Sequence, residues 1–326
     1  MYRLAILGLG GWGRRLVDAV QGRSEQVGFA AAVVTDPAKH EAYAALRGLA
    51  LGRDYRAVLA DPAIDGIVIA TPHSRHAEHA VAAAEAGKPV FVEKPLALTL
   101  ADARRIAAAC DAAPVPLAVG HNRRFLPAFQ ALSDELTAGA IGALLHIEGH
   151  FSAPSGHGYG PGSWRAAPGE SPAGGLAGLG IHLVDAMIAL AGPIRRVWAH
   201  SRRRVLAGID DTTTVVLELE SGVMATLVSS TASPVLWSLR LSGSAGRLEL
   251  ADERHLIHAG FSGPVCTLAF APIDTERLEL EAFADAIAGQ GAYPVTVEQT
   301  THGIAVFEAI VRASQAGPMT RVEVEN

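Results

Sequence analysis

The chain has 326 residues, a length that suggests two domains. Hydrophobic residues make up 49% of it and charged residues 18%, which argues for a large core and against global disorder. The net charge of −6 argues against a nucleic-acid or acidic-membrane partner, and the two distant cysteines argue against a disulfide framework or a cysteine zinc site.

A glycine-rich turn near the start predicts a dinucleotide-binding domain. Residues 4–7 form an apolar run typical of a buried parallel strand, and residues 8–13 read GLGGWG, which fits the pattern G-x-G-x-x-G. The glycines allow a tight turn, a close approach to a pyrophosphate, and close packing of helix on strand. Unpaired N–H groups at the helix start attract phosphates. The predicted cofactor-binding residues here are Gly8, Gly10, Gly11, Trp12 and Gly13.

A carboxylate follows the second apolar run, where a ribose-binding acid is expected. Asp36 lies 23 residues after Gly13. A carboxylate there accepts hydrogen bonds from both ribose hydroxyls of NAD and repels the extra phosphate of NADP. Asp36 also suits the cap of a helix that begins at Pro37, and both roles are compatible. Because Lys39 and His40 weaken the repulsion, NAD is the favoured cofactor and NADP stays an alternative.

Three histidines lie at the start of an alanine-rich helix that follows the strand at residues 64–70. His73, His76 and His79 are spaced by three, so they drift around the helix, and no carboxylate or cysteine completes a metal shell. No metal site is therefore predicted. The turn lies on the cofactor side of the sheet, which adds Thr71, Pro72, His73 and His76 to the predicted cofactor-binding residues.

The chemistry is predicted at the end of the next strand, where the apolar run 90–92 stops in Glu93-Lys94-Pro95. Ligands of open parallel sheets bind just beyond the carboxyl ends of the strands. A lysine beside a substrate oxygen stabilises developing alkoxide charge, and a desolvated lysine can take the proton itself. An ordinary exposed lysine is the simpler interpretation, but the proline and the cofactor context favour a catalytic Lys94. Glu93 points to the other side of the strand and is predicted to support the cofactor pocket.

Residues 115–120 are predicted to be the sixth strand of a doubly wound parallel sheet, which makes the fold α/β. The predicted domains are 1–120, which binds the dinucleotide, and 121–326, which binds substrate. His121 and Asn122 follow the sixth strand and are predicted substrate contacts. The second half has strand-like patterns that indicate a largely antiparallel sheet covered on one face by helices, at 144–151, 196–203, 212–220, 223–231, 235–242 and 247–250.

The second half also carries a long polar loop and a histidine-bearing helix. Trp164 and Arg165 lie in the loop 152–175, and loops of this length in compact domains are usually functional, so both are predicted substrate contacts. His182 lies on the predicted helix 175–190. Alcohol oxidation needs a base that titrates near neutrality, which makes His182 the candidate, although a core histidine is the structural alternative. Two further helices are predicted at 275–288 and 297–315.

Taken together, these motifs resemble the Gfo/Idh/MocA family, named after glucose–fructose oxidoreductase, inositol dehydrogenase and rhizopine catabolism. The resemblance covers nearly the whole chain. It rests on Gly8-x-Gly10-x-x-Gly13, Ala70-Thr71-Pro72-x-x-x-His76, Ala86-Gly87-Lys88-Pro89-Val90-x-Val92-Glu93-Lys94-Pro95, Asn122-Arg123-Arg124-Phe125, Trp164-Arg165 before Gly174-Gly175, and Gly180-Ile181-His182-Leu183-Val184-Asp185.

The resemblance implies a Rossmann domain, an α+β domain with a mixed, largely antiparallel open sheet, and a substrate cleft between them. It implies hydride transfer between a nicotinamide and a sugar, polyol or related hydroxyl or keto compound. Lys94 would hold the reacting oxygen and His182 would exchange its proton. The family often has an aspartate four residues before this histidine, where this chain has Gly178; Asp185 would orient His182 instead. Subunits would pair through the open sheet face as a homodimer or homotetramer.

Three functions stay open at this point. The first is an active dehydrogenase, and the second is a cofactor-binding sensor or regulator in which Gly178 marks a lost active site. The third is an enzyme that holds its cofactor permanently and cycles between two substrates. The first strand begins next to Met1 and no apolar run reaches the length of a membrane span, so a cytoplasmic location is predicted.

Overall fold

The computed structural model describes residues 1–160, 162–167, 169–316 and 321–325. The chain separates into two compact units, the first formed by residues 1–122 and 274–301 and the second by 123–273 and 302–326. In chain order the elements are β1 (Tyr2–Leu7), α1 (Gly11–Val20), β2 (Val27–Val33), α2 (Glu41–Arg47), β3 (Ala50–Gly52), α3 (Tyr55–Ala60), β4 (Gly66–Ile69), α4 (His76–Glu85), β5 (Val90–Val92), α5 (Leu100–Ala112), β6 (Leu117–Val119), α6 (Pro127–Thr137), β7 (Leu144–Ser152), α7 (Gly180–Ala191), β8 (Ile194–Arg202), β9 (Thr212–Leu219), β10 (Met224–Ser230), β11 (Leu236–Gly243), β12 (Gly246–Leu250), β13 (His255–Gly260), β14 (Cys266–Ala269), α8 (Thr275–Ile287), α9 (Val297–Gln315) and β15 (Arg321–Glu323).

The first unit is built on a parallel sheet whose six described strands have the order β3-β2-β1-β4-β5-β6. This is the order of a doubly wound dinucleotide-binding fold, so the predicted α/β class is confirmed. Every residue of β4 and β5 is buried, which explains why these strands are continuous apolar runs. Ligands of such sheets bind beyond the carboxyl ends of the strands, near the reversal of strand order between β1 and β4.

The first unit contains a segment from near the end of the chain. The division made from the sequence assigned everything after residue 120 to the second domain. Residues 274–301 belong to the first unit, where α8 packs against α1 and β2. The Phe283 ring centroid lies 5.8 Å from that of Phe91, and the Tyr293 hydroxyl donates to the Val119 carbonyl oxygen at 3.1 Å. Helical periodicity shows which face of a helix is apolar, but it does not show which sheet that face covers.

The second unit contains a mixed sheet whose described strands have the order β14-β13-β12-β11-β7-β10-β9-β8-β15. All described pairs are antiparallel except β7 with β10, so the predicted mixed, largely antiparallel sheet is confirmed. Helix α7 packs on one face, against β7 and β10. A Cβ at Gly149 would lie 2.9 Å from the Met187 side chain, so this glycine lets α7 approach β7 closely.

Helix α7 begins at Gly180, five residues later than predicted. Ala173 and Gly174 have φ angles of 51° and 60°, and a short 3-10 turn at Gly174–Leu176 precedes the helix. The N-cap residue Leu179 has non-helical angles, φ −124° and ψ −60°, so the α-helix begins only after it. Each described helix lacks the length and apolar character that a bilayer crossing requires.

Candidate active site

The glycine turn between β1 and α1 has the shape that a pyrophosphate needs. Gly8 has φ +99°, and a Cβ there would lie 2.6 Å from the Ala70 carbonyl oxygen. A Cβ at Gly13 would collide with the Gly8 carbonyl oxygen. At Gly10, before the first turn of α1, the described atoms leave 4 Å of open space around the Cβ position. The backbone is therefore closed toward the strand and open where a phosphate approaches, which fits a dinucleotide.

The predicted ribose-binding corner carries one acid and several basic groups. Residues Pro37–Lys39 form a 3-10 turn, and the Asp36 side chain makes no capping hydrogen bond to the described residues. Its carboxylate is 3.2 Å from the Lys39 ammonium. Nearby, Arg14 Nη2 lies 3.2 Å from His40 Nδ1, and burial together with the Arg14 charge lowers the His40 pKa. A carboxylate surrounded by basic groups suits a ribose and repels a phosphate only weakly.

The histidines after β4 are all buried, and the structure ties two of them to the backbone turn that precedes them. His76 lies with Nε2 3.0 Å from the Thr71 carbonyl oxygen and Nδ1 2.9 Å from the Pro95 carbonyl oxygen. His79 Nδ1 is 3.2 Å from Thr71 Oγ1, and burial lowers the His79 pKa to about 4. The His73 and His76 rings meet edge to face at 5.7 Å. His76 therefore contacts both the Thr71 turn and the segment that follows Lys94.

Glu93 and Lys94 directly follow the carboxyl end of β5, and they differ in how far their side chains are buried. Glu93 is buried and accepts a hydrogen bond from the Lys94 backbone N–H at 3.2 Å, whereas Lys94 is half-buried. Burial raises the pKa of Glu93 to about 7, against the opposing effects of the Lys94 charge and the nearby Trp12 indole N–H. A Cβ at Gly120 would lie 2.9 Å from Glu93 Oε1, so the glycine provides the space for this carboxyl group. Two predicted cofactor residues, Trp12 and Glu93, thus come together.

Asn122 is tied to α8, which sequence reasoning had not connected to the site. The buried Asn122 amide donates to Glu276 Oε1 at 3.0 Å and to Thr275 Oγ1 at 3.4 Å. Arg15 of α1 pairs with the same Glu276 carboxylate at 2.9 Å. His121, the preceding residue, is also buried. Glu276 is far from these residues in sequence, and its only sequence signal is a charged residue on an amphipathic helix.

In the second unit His182 lies beside an aromatic and cationic stack. His182 is buried on α7, and its ring centroid is 5.8 Å from that of Phe151 on β7. Trp237 meets Phe151 edge to face at 5.1 Å. The Arg123 guanidinium lies 4.7 Å above the Phe151 ring and pairs with Glu253 at 2.7 Å. Cations favour the faces of aromatic rings, so this stack fixes the ring that contacts His182.

The sequence offered one orienting acid, Asp185, in place of the acid that the family often has at the position of Gly178. Asp185, one turn after His182, accepts two hydrogen bonds from Arg124, at 2.7 Å and 3.1 Å. This bidentate pair is nearly buried and anchors α7 to the segment before α6. At Gly178 the nearest described atom to a Cβ would be the Gly175 carbonyl oxygen, at 3.9 Å. The backbone at this position therefore has room for a side chain.

Trp164 and Arg165 form a stacked pair in the loop after β7. The Arg165 guanidinium lies 4.1 Å from the Trp164 ring centroid, and both side chains are partly exposed. The Ser171 hydroxyl donates to the Arg165 carbonyl oxygen at 2.8 Å, which shapes the loop. Lys94 belongs to the first unit, whereas His182, Trp164 and Arg165 belong to the second.

Two family models cover most of the chain. Residues 2–121 match the model described as the oxidoreductase family with an NAD-binding Rossmann fold, and residues 129–249 match the GFO/IDH/MocA C-terminal domain. The chain belongs to the Gfo/Idh/MocA family. The assignment made from the sequence motifs is confirmed, and with it an NAD(P)-dependent dehydrogenase that binds its cofactor on a Rossmann domain.

Gfo/Idh/MocA proteins similar to this chain match it over its full length. Inositol 2-dehydrogenase 1 of Saccharopolyspora erythraea is 32% identical, over 99% of this chain and 96% of that protein. D-xylose 1-dehydrogenase (NADP(+)) 2 of Haloferax volcanii is 29% identical, over 98% and 99%. Among solved structures, an oxidoreductase of Desulfitobacterium hafniense described as NADPH-dependent is 27% identical, with a TM-score of 0.90 over 99% of both chains.

Proposed function

We propose that the chain transfers a hydride between a nicotinamide cofactor and a hydroxyl or keto group of a sugar or polyol, with Lys94 and His182 at the reacting oxygen. The full-length similarity to an inositol dehydrogenase and a xylose dehydrogenase supports this substrate class. The observation that carries the proposal is the place of Lys94. It follows β5 at the carboxyl edge of the parallel sheet, the same edge at which the glycine turn follows β1.

In this proposal, side chains of the protein stabilise charge, transfer a proton and bind the cofactor and the substrate. The bound nicotinamide supplies the hydride acceptor or donor. The Lys94 ammonium stabilises negative charge on the substrate oxygen, and His182 takes or returns its proton. Asp36 binds the adenosine ribose, with NAD favoured and NADP accepted. The remaining proposed contacts are Gly8, Gly10, Gly11, Trp12, Gly13, Thr71, Pro72, His73, His76 and Glu93 for the cofactor, and His121, Asn122, Trp164 and Arg165 for the substrate.

The test replaces Lys94 and compares it with a lysine at the opposite end of the same strand. We expect Lys94→Met to lower kcat by on the order of a thousandfold on its best sugar or polyol while NADH affinity changes less than about threefold. Lys88 precedes β5, and its ammonium donates to the carbonyl oxygens of Asp61 and Ile64. Lys88→Met should therefore keep the wild-type kcat. Equal turnover of wild type and Lys94→Met would remove Lys94 from the proposed chemistry.

A cofactor-binding sensor or regulator without turnover is the second candidate. It is favoured by Gly178, because the structure has room for an acidic side chain at this position and the chain does not use it. The same assay separates the two candidates. A sensor binds NADH tightly and turns over no member of a panel of aldoses and cyclic polyols, whereas a dehydrogenase reduces NAD or NADP with at least one of them.

We also propose that the chain forms a homodimer or homotetramer through the open face of the second unit's sheet. On this face His146, Glu148 and His150 of β7 lie beside Met224 and Val228 of β10, a half-exposed mixture of polar and apolar groups. Such a mixture is typical of interfaces that keep ordered water. Sedimentation equilibrium should give a dimer or tetramer, and Val228→Glu should shift it toward monomer. A wild-type monomer at micromolar concentration would contradict the proposal.

A further inference from the structure

One fully buried histidine connects the two backbone turns at the cofactor edge of the parallel sheet. His76 is the first residue of α4 and is 0% exposed. Its Nε2 lies 3.0 Å from the carbonyl oxygen of Thr71, which follows β4. Its Nδ1 lies 2.9 Å from the carbonyl oxygen of Pro95, which follows Lys94 at the end of β5. A single side chain thus bridges the ends of two neighbouring strands.

These two contacts fix the charge state of the ring. Carbonyl oxygens only accept hydrogen bonds, and a neutral imidazole has a single N–H. A neutral His76 would therefore direct the lone pair of its other nitrogen at a carbonyl oxygen 3 Å away. Only the doubly protonated ring can donate to both oxygens. Charge-assisted hydrogen bonds of this kind are among the strongest in proteins.

The surroundings of His76 act on this charge in both directions. Burial and the positive end of α4 disfavour a cation, whereas the two carbonyl groups favour it. His79, one turn further on, is neutral at pH 7 because burial lowers its pKa to about 4, and the His76 charge contributes in the same direction. Titratable and charged groups lie on α4 and on the elements packed against it. They are His73 and Arg75 before α4, Glu78, His79 and Glu85 on α4, Tyr55 and Arg56 on α3, Asp102, Arg104, Arg105, Cys110 and Asp111 on α5, and Glu93 and Lys94 after β5.

We propose that His76, as a buried imidazolium, is a positioning residue that holds Lys94 in place through the Pro95 carbonyl group. Lys94 lies between Glu93, whose carboxylate accepts from the Lys94 N–H, and Pro95, whose oxygen His76 holds. Both ends of the lysine's backbone are therefore fixed from inside the unit. The role of Lys94 in this inference rests on the proposed function. The pair of His76 contacts with the Thr71 and Pro95 carbonyl groups, called the brace below, is a property of the folded chain itself.

The charge state is tested first, on the unmodified protein. In ¹⁵N spectra of protein labelled at histidine, His76 should show two protonated ring nitrogens at pH 7.5, while His79 shows one. The His76 signal is identified by its loss in His76→Gln or by sequential assignment. A single neutral tautomer of His76 at pH 7.5 would overturn the proposal, because one carbonyl contact would then have no proton.

The brace is tested next by hydrogen exchange, which needs no substrate. His76→Gln can donate from only one amide nitrogen, so amides in residues 93–97 should exchange at least tenfold faster than in wild type. His79→Gln, the matched control on the same helix, should stay within about twofold. Equal exchange in wild type and His76→Gln would overturn the brace.

The catalytic consequence appears in kcat. In His76→Gln we expect kcat at saturating cofactor and substrate to fall about tenfold or more, whereas kcat of His79→Gln should stay within about twofold of wild type. A role confined to stability would lower the unfolding midpoint and leave kcat of the folded enzyme unchanged, which would overturn the positioning role. If wild type itself has no turnover, the proposed function fails, and the spectra and exchange rates still decide the brace.

Discussion

At the scale of single residues, Glu93 shows how a local pattern and distant contacts combine. The alternation of a strand predicts that Glu93 and Lys94 point to opposite sides, and the structure buries the first and half-exposes the second. The surroundings of the buried carboxyl group come from elsewhere in the chain: Trp12 from the glycine turn lies near it, and Gly120 from the end of β6 leaves space for it. A carboxyl group in this setting holds its proton to an unusually high pH because burial disfavours the charged form.

This shifted pKa gives a prediction with a definite sign. Burial raises the Glu93 pKa from 4.5 to about 7. Between these values the unfolded chain releases the proton and the folded chain keeps it, so the Glu93 contribution to the free energy of unfolding falls as pH rises. Relative to Glu93→Gln, wild type should lose about 3 kcal/mol from pH 4.5 to pH 7 and nothing further above that.

Urea unfolding of both proteins at a series of pH values measures this difference. Glu78→Gln is the matched control in the same unit, because Glu78 is about half exposed and pairs with Arg75 on the surface of α4. Its difference from wild type should stay small across the same range. A wild-type advantage that grows from pH 4.5 to pH 7 would show that the Glu93 pKa is lowered rather than raised.

At the scale of elements, strongly periodic segments were predicted well and those defined by tertiary contacts were not. The strands at 212–220 and 223–231 match β9 and β10 to within one residue at each end, because alternating burial leaves a period of two. The edge strand β14 was not predicted, and all four of its residues are exposed, so it carries no such period. The predicted start of α7 missed the 3-10 turn at Gly174–Leu176 and the non-helical Leu179, which local apolar character does not reveal.

In the candidate site, too, local patterns were predictable from the sequence and contacts between elements were not. The sequence motifs made Lys94 and His182 the candidates because Lys94 follows the end of a buried strand and His182 lies on an apolar helix. The ion pair of Arg124 with Asp185 and the position of Arg123 above Phe151 join separate elements. No spacing in the sequence encodes these pairs. A motif therefore indicates candidate side chains for the chemistry, while the contacts around them are set by packing between elements.

At the scale of the whole molecule, the chain passes between its two compact units after residues 122, 273 and 301. The proposed division into 1–120 and 121–326 has one boundary, near the first of these positions, and assigns residues 274–301 to the second domain. Residues 274–301 belong to the first unit because their side chains Phe283 and Tyr293 pack on the buried Phe91 of β5. The strand that ends in Lys94 is thus covered by side chains from near the end of the chain.

This arrangement predicts that a residue far from the glycine turn in sequence controls cofactor binding through stability. Phe283 is fully buried, and Phe283→Ala should lower the free energy of unfolding by about 3–5 kcal/mol because it leaves a cavity over β5. NADH binding should disappear at a correspondingly lower urea concentration, since the first unit loses its cover. Phe261→Ala is the control: Phe261 is 84% exposed, and its removal should cost less than about 0.5 kcal/mol. A Phe283→Ala variant that kept NADH binding to the wild-type urea midpoint would show that the Phe283 ring does not stabilise the first unit.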